Sequence, residues 1–299
     1  MMSHERAART VSAYRHGWAR FCNWCSAAGR DPLPASSETL CLYVAACIDE
    51  GLRLASVRLY LSAIRHVHVQ GKFECPVGRD SEVRRLMDGA ARALRERPAG
   101  RAPLTPAQVR SMSVWLVRSR SPMAARDRAV IVLGFALGWR GSELSSLDLS
   151  DVSFTDRGLR VRLGASKTDQ QGKGREAAIP YGRRAVTCPV RVLRAWIDVR
   201  GRWPGPLFPA ARANRSIGTG RLSCDAVCAI VKRTLDAIGE DASSFGSHSL
   251  RAGMATSGAE NGASEIAIMQ RGGWKNIHTV LRYVRPAQAF RADPLAGVL

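Results

Sequence analysis

Almost the whole chain repeats its apolar residues every three or four positions, and this pattern strongly restricts the possible folds. Segments such as "TVSAYRHGWARFCNWCSAAG" (10–29) and "SEVRRLMDGAARALRERP" (81–98) place their apolar side chains on one face of an α-helix. One stretch differs. In residues 147–182, alternating segments such as "LRVRL" and "EAAIP" flank the Gly- and Gln-rich "SKTDQQGKG". The sequence therefore predicts a mainly α fold with a small antiparallel β-sheet that carries an exposed hairpin.

A break in the helical pattern divides the chain into two parts. The segment "ERPAGRAPLTPAQ" (96–108) combines Pro, Gly and Arg, as linkers commonly do. At its end, Thr105, Pro106 and Gln108 have the spacing of a capping box, which predicts that a helix begins there. We therefore predict a helical N-terminal domain over residues 1–102 and a mixed, mainly helical domain over residues 103–299.

The charge of the chain indicates the class of its partner. Lysine and arginine outnumber aspartate and glutamate by 45 to 25, which gives a formal net charge of +20 in 299 residues. Each neutralised phosphate releases counterions, so an excess of this size favours nucleic acid as the partner over a merely solvated basic surface. Both predicted domains share the excess, and we expect the two basic lobes to close around double-stranded DNA as a clamp.

Two segments of the sequence argue against a membrane partner and against export. The longest apolar run, "AVIVLGFALGW" (129–139), is about half of a bilayer span and is typical of a buried helix. The N-terminal "MMSHERAARTVSAYRHG" lacks the apolar core of a secretory signal. We therefore expect a cytoplasmic protein.

Two short pairs of residues have the types that bind metals but lack further ligands nearby in the sequence. Cys22 and Cys25 form a CxxC, the spacing of redox and zinc sites, but no second CxxC or HxxxH accompanies it. Aromatic residues at helical spacing surround this pair, as is typical of a core. His66 and His68 receive the same interpretation. The sequence predicts neither a metal nor a cofactor.

Three residues have the chemistry needed around a phosphodiester. Arg140 follows the apolar helix at a turn marked by Gly138 and Gly141, and His248 and Arg251 lie three residues apart on one helix face. Two guanidinium groups can stabilise a pentacoordinate phosphoryl group through charge-assisted hydrogen bonds. Each pattern taken alone also occurs by chance, since an Arg near a helix end commonly contacts solvent.

The order and spacing of these residues resemble those of the tyrosine recombinase family over nearly the whole chain. The likeness is greatest to the Cre-like branch, because "IMQRGGWKN" has Trp where most relatives have His. "RGSEL" matches the family motif Arg-x-x-Glu-Leu, and "HSLR" matches its His-x-x-Arg box. By this resemblance the catalytic residues are Arg140, Glu143, the hairpin residue Lys167, His248, Arg251, Trp274 and the nucleophile Tyr283.

The resemblance implies a fold and a reaction. The N-terminal part would be a core-binding (SAM-like) domain, followed by a mixed α/β catalytic domain. Tyr283 would attack the scissile phosphate, form a 3′-phosphotyrosyl bond and release a 5′-hydroxyl that attacks the partner strand. The covalent link conserves the bond energy, so neither ATP nor metal is needed. Two exchanges through a Holliday junction imply a homotetramer on synapsed inverted-repeat sites, with the segment after Tyr283 docked on a neighbouring protomer.

The residue types suit these roles. A tyrosine hydroxyl ionises only near pH 10, so it needs a base such as His248 and cations around the phosphate. Only five of the 45 basic residues are lysines, and two of them, Lys167 and Lys173, fall in the hairpin. A lysine can protonate a leaving oxygen, whereas an arginine cannot. Two purely structural interpretations stay open: Lys173 could lie in a solvated turn, and Trp274 could be a core aromatic residue.

Two other functions share these features. A type IB topoisomerase-like enzyme would relax DNA by similar chemistry without synapsis. A DNA-binding regulator that has lost activity would use the basic surface alone. The complete set of catalytic residues disfavours the regulator, and the Cre-like N-terminal part disfavours the topoisomerase.

Overall fold

The computed structural model describes residues 8–78, 81–94, 100–164, 174–214 and 216–288. The chain forms two compact units, residues 1–99 and 100–299. Among the described residues, every helix is too short or too polar to span a bilayer.

The first unit is helical, as predicted. Aromatic and aliphatic side chains from its helices form one core around Phe21, Tyr43 and Ile64, all at most 1% exposed. Ser36 caps the second helix by accepting a hydrogen bond from the Thr39 amide at 3.1 Å. The helices are α1 (Ala8–Ala28), α2 (Ser37–Asp49), α3 (Leu54–Gln70) and α4 (Glu82–Leu94).

The prediction that the pairs Cys22/Cys25 and His66/His68 belong to a core is confirmed for one residue of each pair. Cys25 is fully buried within the core of the first unit. His68 is fully buried as well, and its Nε2 accepts a hydrogen bond from the Ala35 amide at 2.9 Å. Its Nδ1 therefore carries the proton and donates to the Ile64 carbonyl at 2.9 Å. Both ring nitrogens are occupied by backbone groups of the protein.

The second unit begins with the predicted capping box. Thr105 Oγ1 accepts from the Gln108 amide at 3.1 Å, and Gln108 Oε1 accepts from the Thr105 amide at 3.0 Å. This box starts α5 (Pro106–Arg118). The other helices of the unit are α6 (Pro122–Leu137), α7 (Gly141–Ser146), α8 (Pro189–Arg200), α9 (Cys224–Ala237), α10 (Ser247–Glu260), α11 (Glu265–Gly272) and α12 (Ile277–Gln288).

The predicted antiparallel sheet consists of β1 (Val152–Thr155), β2 (Gly158–Leu163) and β3 (Arg175–Pro180), in that order. The predicted hairpin joins β2 to β3, and its residues 165–173, which include Lys167, lie outside the described residues. The sequence did not predict a second antiparallel pair, β4 (Pro209–Ala211) with β5 (Ile217–Arg221). Its short, Gly-containing strands lack the alternation that identifies a strand.

Helix α6 is the central element of the second core, as its apolar run predicts. Val130, Ile131 and Leu133 are at most 1% exposed, and burying each such side chain contributes about 1.5–3 kcal/mol. The helix ends at Gly138, whose φ of +62° is the left-handed conformation that favours glycine. The chain turns there and delivers Arg140 to the start of α7.

A separate apolar cluster joins the last three helices. Ala255 of α10, Ile268 of α11 and Val280 and Val284 of α12 are each at most 2% exposed and pack with Trp274. This packing fixes the relative positions of the helices that carry His248, Arg251 and Tyr283.

Candidate active site

The structure brings six of the seven predicted site residues together from separate parts of the second unit. Lys167 lies outside the described residues. The six are Arg140 at the start of α7, Glu143 within α7, His248 and Arg251 in α10, Trp274 directly after the α11 turn, and Tyr283 in α12.

Arg140 is held by Glu143. The Arg140 amide donates to Glu143 Oε2 at 2.8 Å, and Arg140 Nη1 donates to Oε1 at 2.8 Å. The Glu143 side chain is only 6% exposed, whereas that of Arg140 is 38% exposed. Burial alone would raise the pKa of Glu143, but the Arg140 amide and the charges of Arg175 and Arg140 outweigh it and lower the pKa. Glu143 is therefore an anion that orients a partly exposed cation.

Arg251 is buried at the base of the site, with 1% exposure. Its Nη1 donates to the carbonyls of Gly138, at 2.6 Å, and Gly272. Its guanidinium carbon lies 3.6 Å from the centroid of the Trp274 ring. Burial and the charge of Arg140 lower its pKa to about 10, so it stays charged at neutral pH. Its Nε and Nη2 find no acceptor among the described residues.

His248 and Tyr283 meet at the open side of the site. The Tyr283 hydroxyl lies 3.4 Å from His248 Nε2, and its ring centroid is 5.9 Å from that of Trp274. Burial away from water and the positive charges of Arg251 and Arg140 lower the pKa of His248. The imidazole is therefore neutral at pH 7 and can accept a proton from the hydroxyl.

The structure adds Arg175, which the sequence did not single out. Its Nη2 donates to Glu143 Oε2 at 2.7 Å, and its Nη1 donates to the Gly272 carbonyl at 3.0 Å. A signal was present in the sequence. Arg175 shares its strand face with Ala177 and Ile179, which are buried, so alternation places a charge on the inward face of β3.

The turn between α11 and α12 requires two successive glycines. A Cβ at Gly272 would lie 2.0 Å from the Trp274 ring. A Cβ at Gly273, whose φ is +66°, would lie 1.4 Å from Arg175 Nη1. Trp139 Nε1 also donates to the Arg271 carbonyl at 3.0 Å, which anchors the turn to the segment before α7.

Comparison with known families matches both units. Residues 102–289 match the phage integrase family, and residues 1–70 match the N-terminal SAM-like domain of phage integrases. An integrase/recombinase xerD homolog of Selenomonas ruminantium is 31% identical over 296 residues, which cover 98% of this chain and 86% of that protein. Recombinase cre of Escherichia phage P1 is 27% identical over 283 residues, which cover 88% of this chain and 79% of that protein.

Solved structures share the fold at lower identity. A lambda integrase (75–356) dimer bound to a COC′ core site aligns with a TM-score of 0.64 at 20% identity, covering 94% of this chain and 90% of that one. The XerH site-specific recombinase in a pre-cleavage complex with its difH substrate aligns with a TM-score of 0.64 at 15% identity, covering 93% and 78%.

Proposed function

The chain belongs to the phage integrase family and is a site-specific tyrosine recombinase that cleaves and rejoins DNA, and we propose that Tyr283 is its nucleophile. The observation that carries this assignment is the approach of the Tyr283 hydroxyl to His248 beside two arginines. The family matches favour the recombinase over the topoisomerase-like enzyme and the inactive regulator.

The first step transfers the strand to the enzyme. Tyr283 gives its proton to neutral His248, and its oxygen attacks the scissile phosphorus. A distance of 3.4 Å is long for this hydrogen bond, and we expect it to shorten when substrate binds. A phosphorus–oxygen bond forms to Tyr283, and the bond to the 5′ oxygen breaks with its electron pair on that oxygen. The product is a 3′-phosphotyrosyl link.

The phosphate is bound by arginines in this proposal. Arg140 is partly exposed and held in place by Glu143, and Arg251 has two donors without a protein acceptor. A buried donor without a partner costs about 1–3 kcal/mol, so a ligand oxygen that satisfies it binds favourably. Those two nitrogens have almost no solvent exposure. We therefore expect Trp274 and Tyr283, which pack beside Arg251, to shift as the phosphate enters.

Lys167 completes the first step and allows the second. We propose that it protonates the leaving 5′ oxygen, a role that the family resemblance assigns to the hairpin lysine. The 5′-hydroxyl of the partner strand then gives its proton to the deprotonated Lys167 and attacks the phosphotyrosyl phosphorus; the bond to Tyr283 breaks, and protonated His248 returns a proton to the Tyr283 oxygen. Glu143 and Trp274 hold the two arginines rather than taking part in bond changes.

The charge of the chain and its relatives support a proposal for the DNA partner and the assembly. We propose that residues 1–102 and 103–299 close around double-stranded DNA and that four protomers synapse two inverted-repeat sites through a Holliday junction. The net charge of +20 supports the clamp. The lambda integrase dimer on its core site supports assembly on DNA. We place the reaction in the cytoplasm, where bacterial and phage DNA is available.

The finer branch of the family is also a proposal. Trp274, at the position where most tyrosine recombinases have His, supports a Cre-like site. Overall identity is higher to the xerD homolog, at 31%, than to recombinase cre, at 27%. We propose a Cre-like catalytic site in a chain that is, overall, slightly more similar to the xerD homolog than to recombinase cre.

Replacing Tyr283 with Phe tests the nucleophile. The variant should bind DNA almost normally and form no covalent adduct on a denaturing gel, because only the attacking oxygen is lost. Tyr181 is the other tyrosine of residues 103–299 and is 38% exposed. Tyr181→Phe is therefore the matched control and should form the adduct. An adduct in Tyr283→Phe would assign the nucleophile to another residue.

A further inference from the structure

Arg175 connects the two sides of the candidate site. On one side its Nη2 shares Glu143 Oε2 with the Arg140 amide. On the other side its Nη1 shares the Gly272 carbonyl with Arg251. One planar guanidinium therefore contacts the partners of both proposed phosphate-binding arginines.

The surroundings of Arg175 fix its orientation. Its side chain is 22% exposed, and its guanidinium carbon lies 4.5 Å from the centroid of the Trp139 ring. Gly273 leaves no room for a Cβ beside its Nη1. A guanidinium can donate to two acceptors at fixed angles, whereas an ammonium acts as a point charge. The site thus selects the shape of an arginine as well as its charge.

The charge and hydrogen bond of Arg175 help to hold the Glu143 carboxylate. Three cationic side chains, Arg140, Arg175 and Arg251, surround the single carboxylate of Glu143 among the described residues. Arg175 supplies one of the three hydrogen bonds that Glu143 accepts. Among the described residues, its loss would leave only Arg140 as a hydrogen-bond donor to the Glu143 carboxylate, and the turn that carries Trp274 would lose a hydrogen bond to β3.

We infer that Arg175 is a positioning residue for strand cleavage, which orients Arg140 through Glu143 and the Trp274 turn through the Gly272 carbonyl. This inference rests on the proposed active site. Arg175 also begins β3, directly after the β2–β3 connection that contains Lys167.

The test compares Arg175→Met and Arg175→Lys in the full chain, using single-turnover cleavage of a target half-site recovered from covalent complexes. Arg175→Met should lower the cleavage rate roughly 10- to 100-fold, the range found when a group that orients reacting side chains is lost. Half-site binding should change little. Arg175→Lys should recover part of the rate because it keeps the charge but not the fork.

Titration of Glu143 itself separates positioning from a purely structural role. Arg175 helps to lower the pKa of Glu143, so its removal should raise that pKa, which carboxylate NMR of the folded chain measures. Arg140 and Arg251 still face Glu143 in the variant. Arg175→Lys should keep the pKa of Glu143 near its wild-type value. A variant that is only less stable would keep that pKa unchanged.

Arg160→Met is the matched control, because it removes the same charge from the same sheet. Arg160 pairs with Glu176 at 3.1 Å, and its side chain is 61% exposed. We expect wild-type cleavage and an unchanged pKa of Glu143. A wild-type rate or an unchanged pKa of Glu143 in Arg175→Met would overturn the inference, as would a loss of binding equal to the loss of rate. An adduct in Tyr283→Phe would instead overturn the proposed site itself.

Discussion

Substituting Gly273 with alanine should destabilise the protein far more than the same change at Gly262. Both glycines follow helices in the left-handed conformation, with φ of +66° at Gly273 and +84° at Gly262. A new Cβ would meet nothing within 4 Å at Gly262 but would lie 1.4 Å from Arg175 Nη1 at Gly273. Gly262→Ala therefore measures the backbone strain alone.

The difference can be worked from the contacts. A non-glycine residue in the left-handed region costs about 1–2 kcal/mol, and both variants carry this cost. Gly273→Ala must also displace Arg175 from Glu143 and from the Gly272 carbonyl. A hydrogen bond to a charged group contributes about 1.5–3 kcal/mol, and the displaced guanidinium regains water, so the lower end applies twice. We expect a loss of about 4–5 kcal/mol for Gly273→Ala against about 1–2 kcal/mol for Gly262→Ala.

Urea unfolding of the full chain followed by tryptophan fluorescence measures this loss, since five of the seven tryptophans lie in residues 100–299. The double variant Gly273→Ala, Arg175→Ala closes a thermodynamic cycle. With Arg175 shortened, the alanine at 273 should cost only its strain, which gives a coupling energy of about 3 kcal/mol. Equal losses for the two single glycine variants, or additive losses in the double variant, would refute the reasoning.

Two further predictions concern proton transfer. Lys167→Ala should slow cleavage greatly, whereas Lys173→Ala should not. A substrate with a 5′-bridging phosphorothiolate should restore much of the Lys167→Ala rate, because its sulfur leaves without protonation. If the rate is not restored, Lys167 is not the acid. Burial, Arg251 and Arg140 lower the pKa of His248, so its imidazole should titrate below 6.5 by NMR, and the base should be mainly neutral at pH 7. A midpoint at or above 6.5 would contradict this electrostatic argument.

Local patterns in the sequence determined the helical fold, and the resemblance to the tyrosine recombinases assigned the candidate site residues. The period of the apolar residues depends only on near neighbours, so it predicted the helices and the buried run of α6. The capping box at Thr105 is equally local, and the structure confirms it. The six predicted site residues that the structure describes lie together, and Lys167 and the segment 289–299 stay predictions because they lie outside the described residues.

Only the tertiary structure decided what holds the catalytic residues in place. Arg175 and Glu143 are 32 residues apart, and no local rule brings a strand residue to the start of a particular helix. The Gly272 carbonyl became a shared acceptor because packing of α10, α11 and α12 turned it toward two arginines. The burial of Arg251 likewise depends on the Trp274 ring above it. Sequence spacing encodes which groups are available, whereas distances between remote groups depend on how the helices pack.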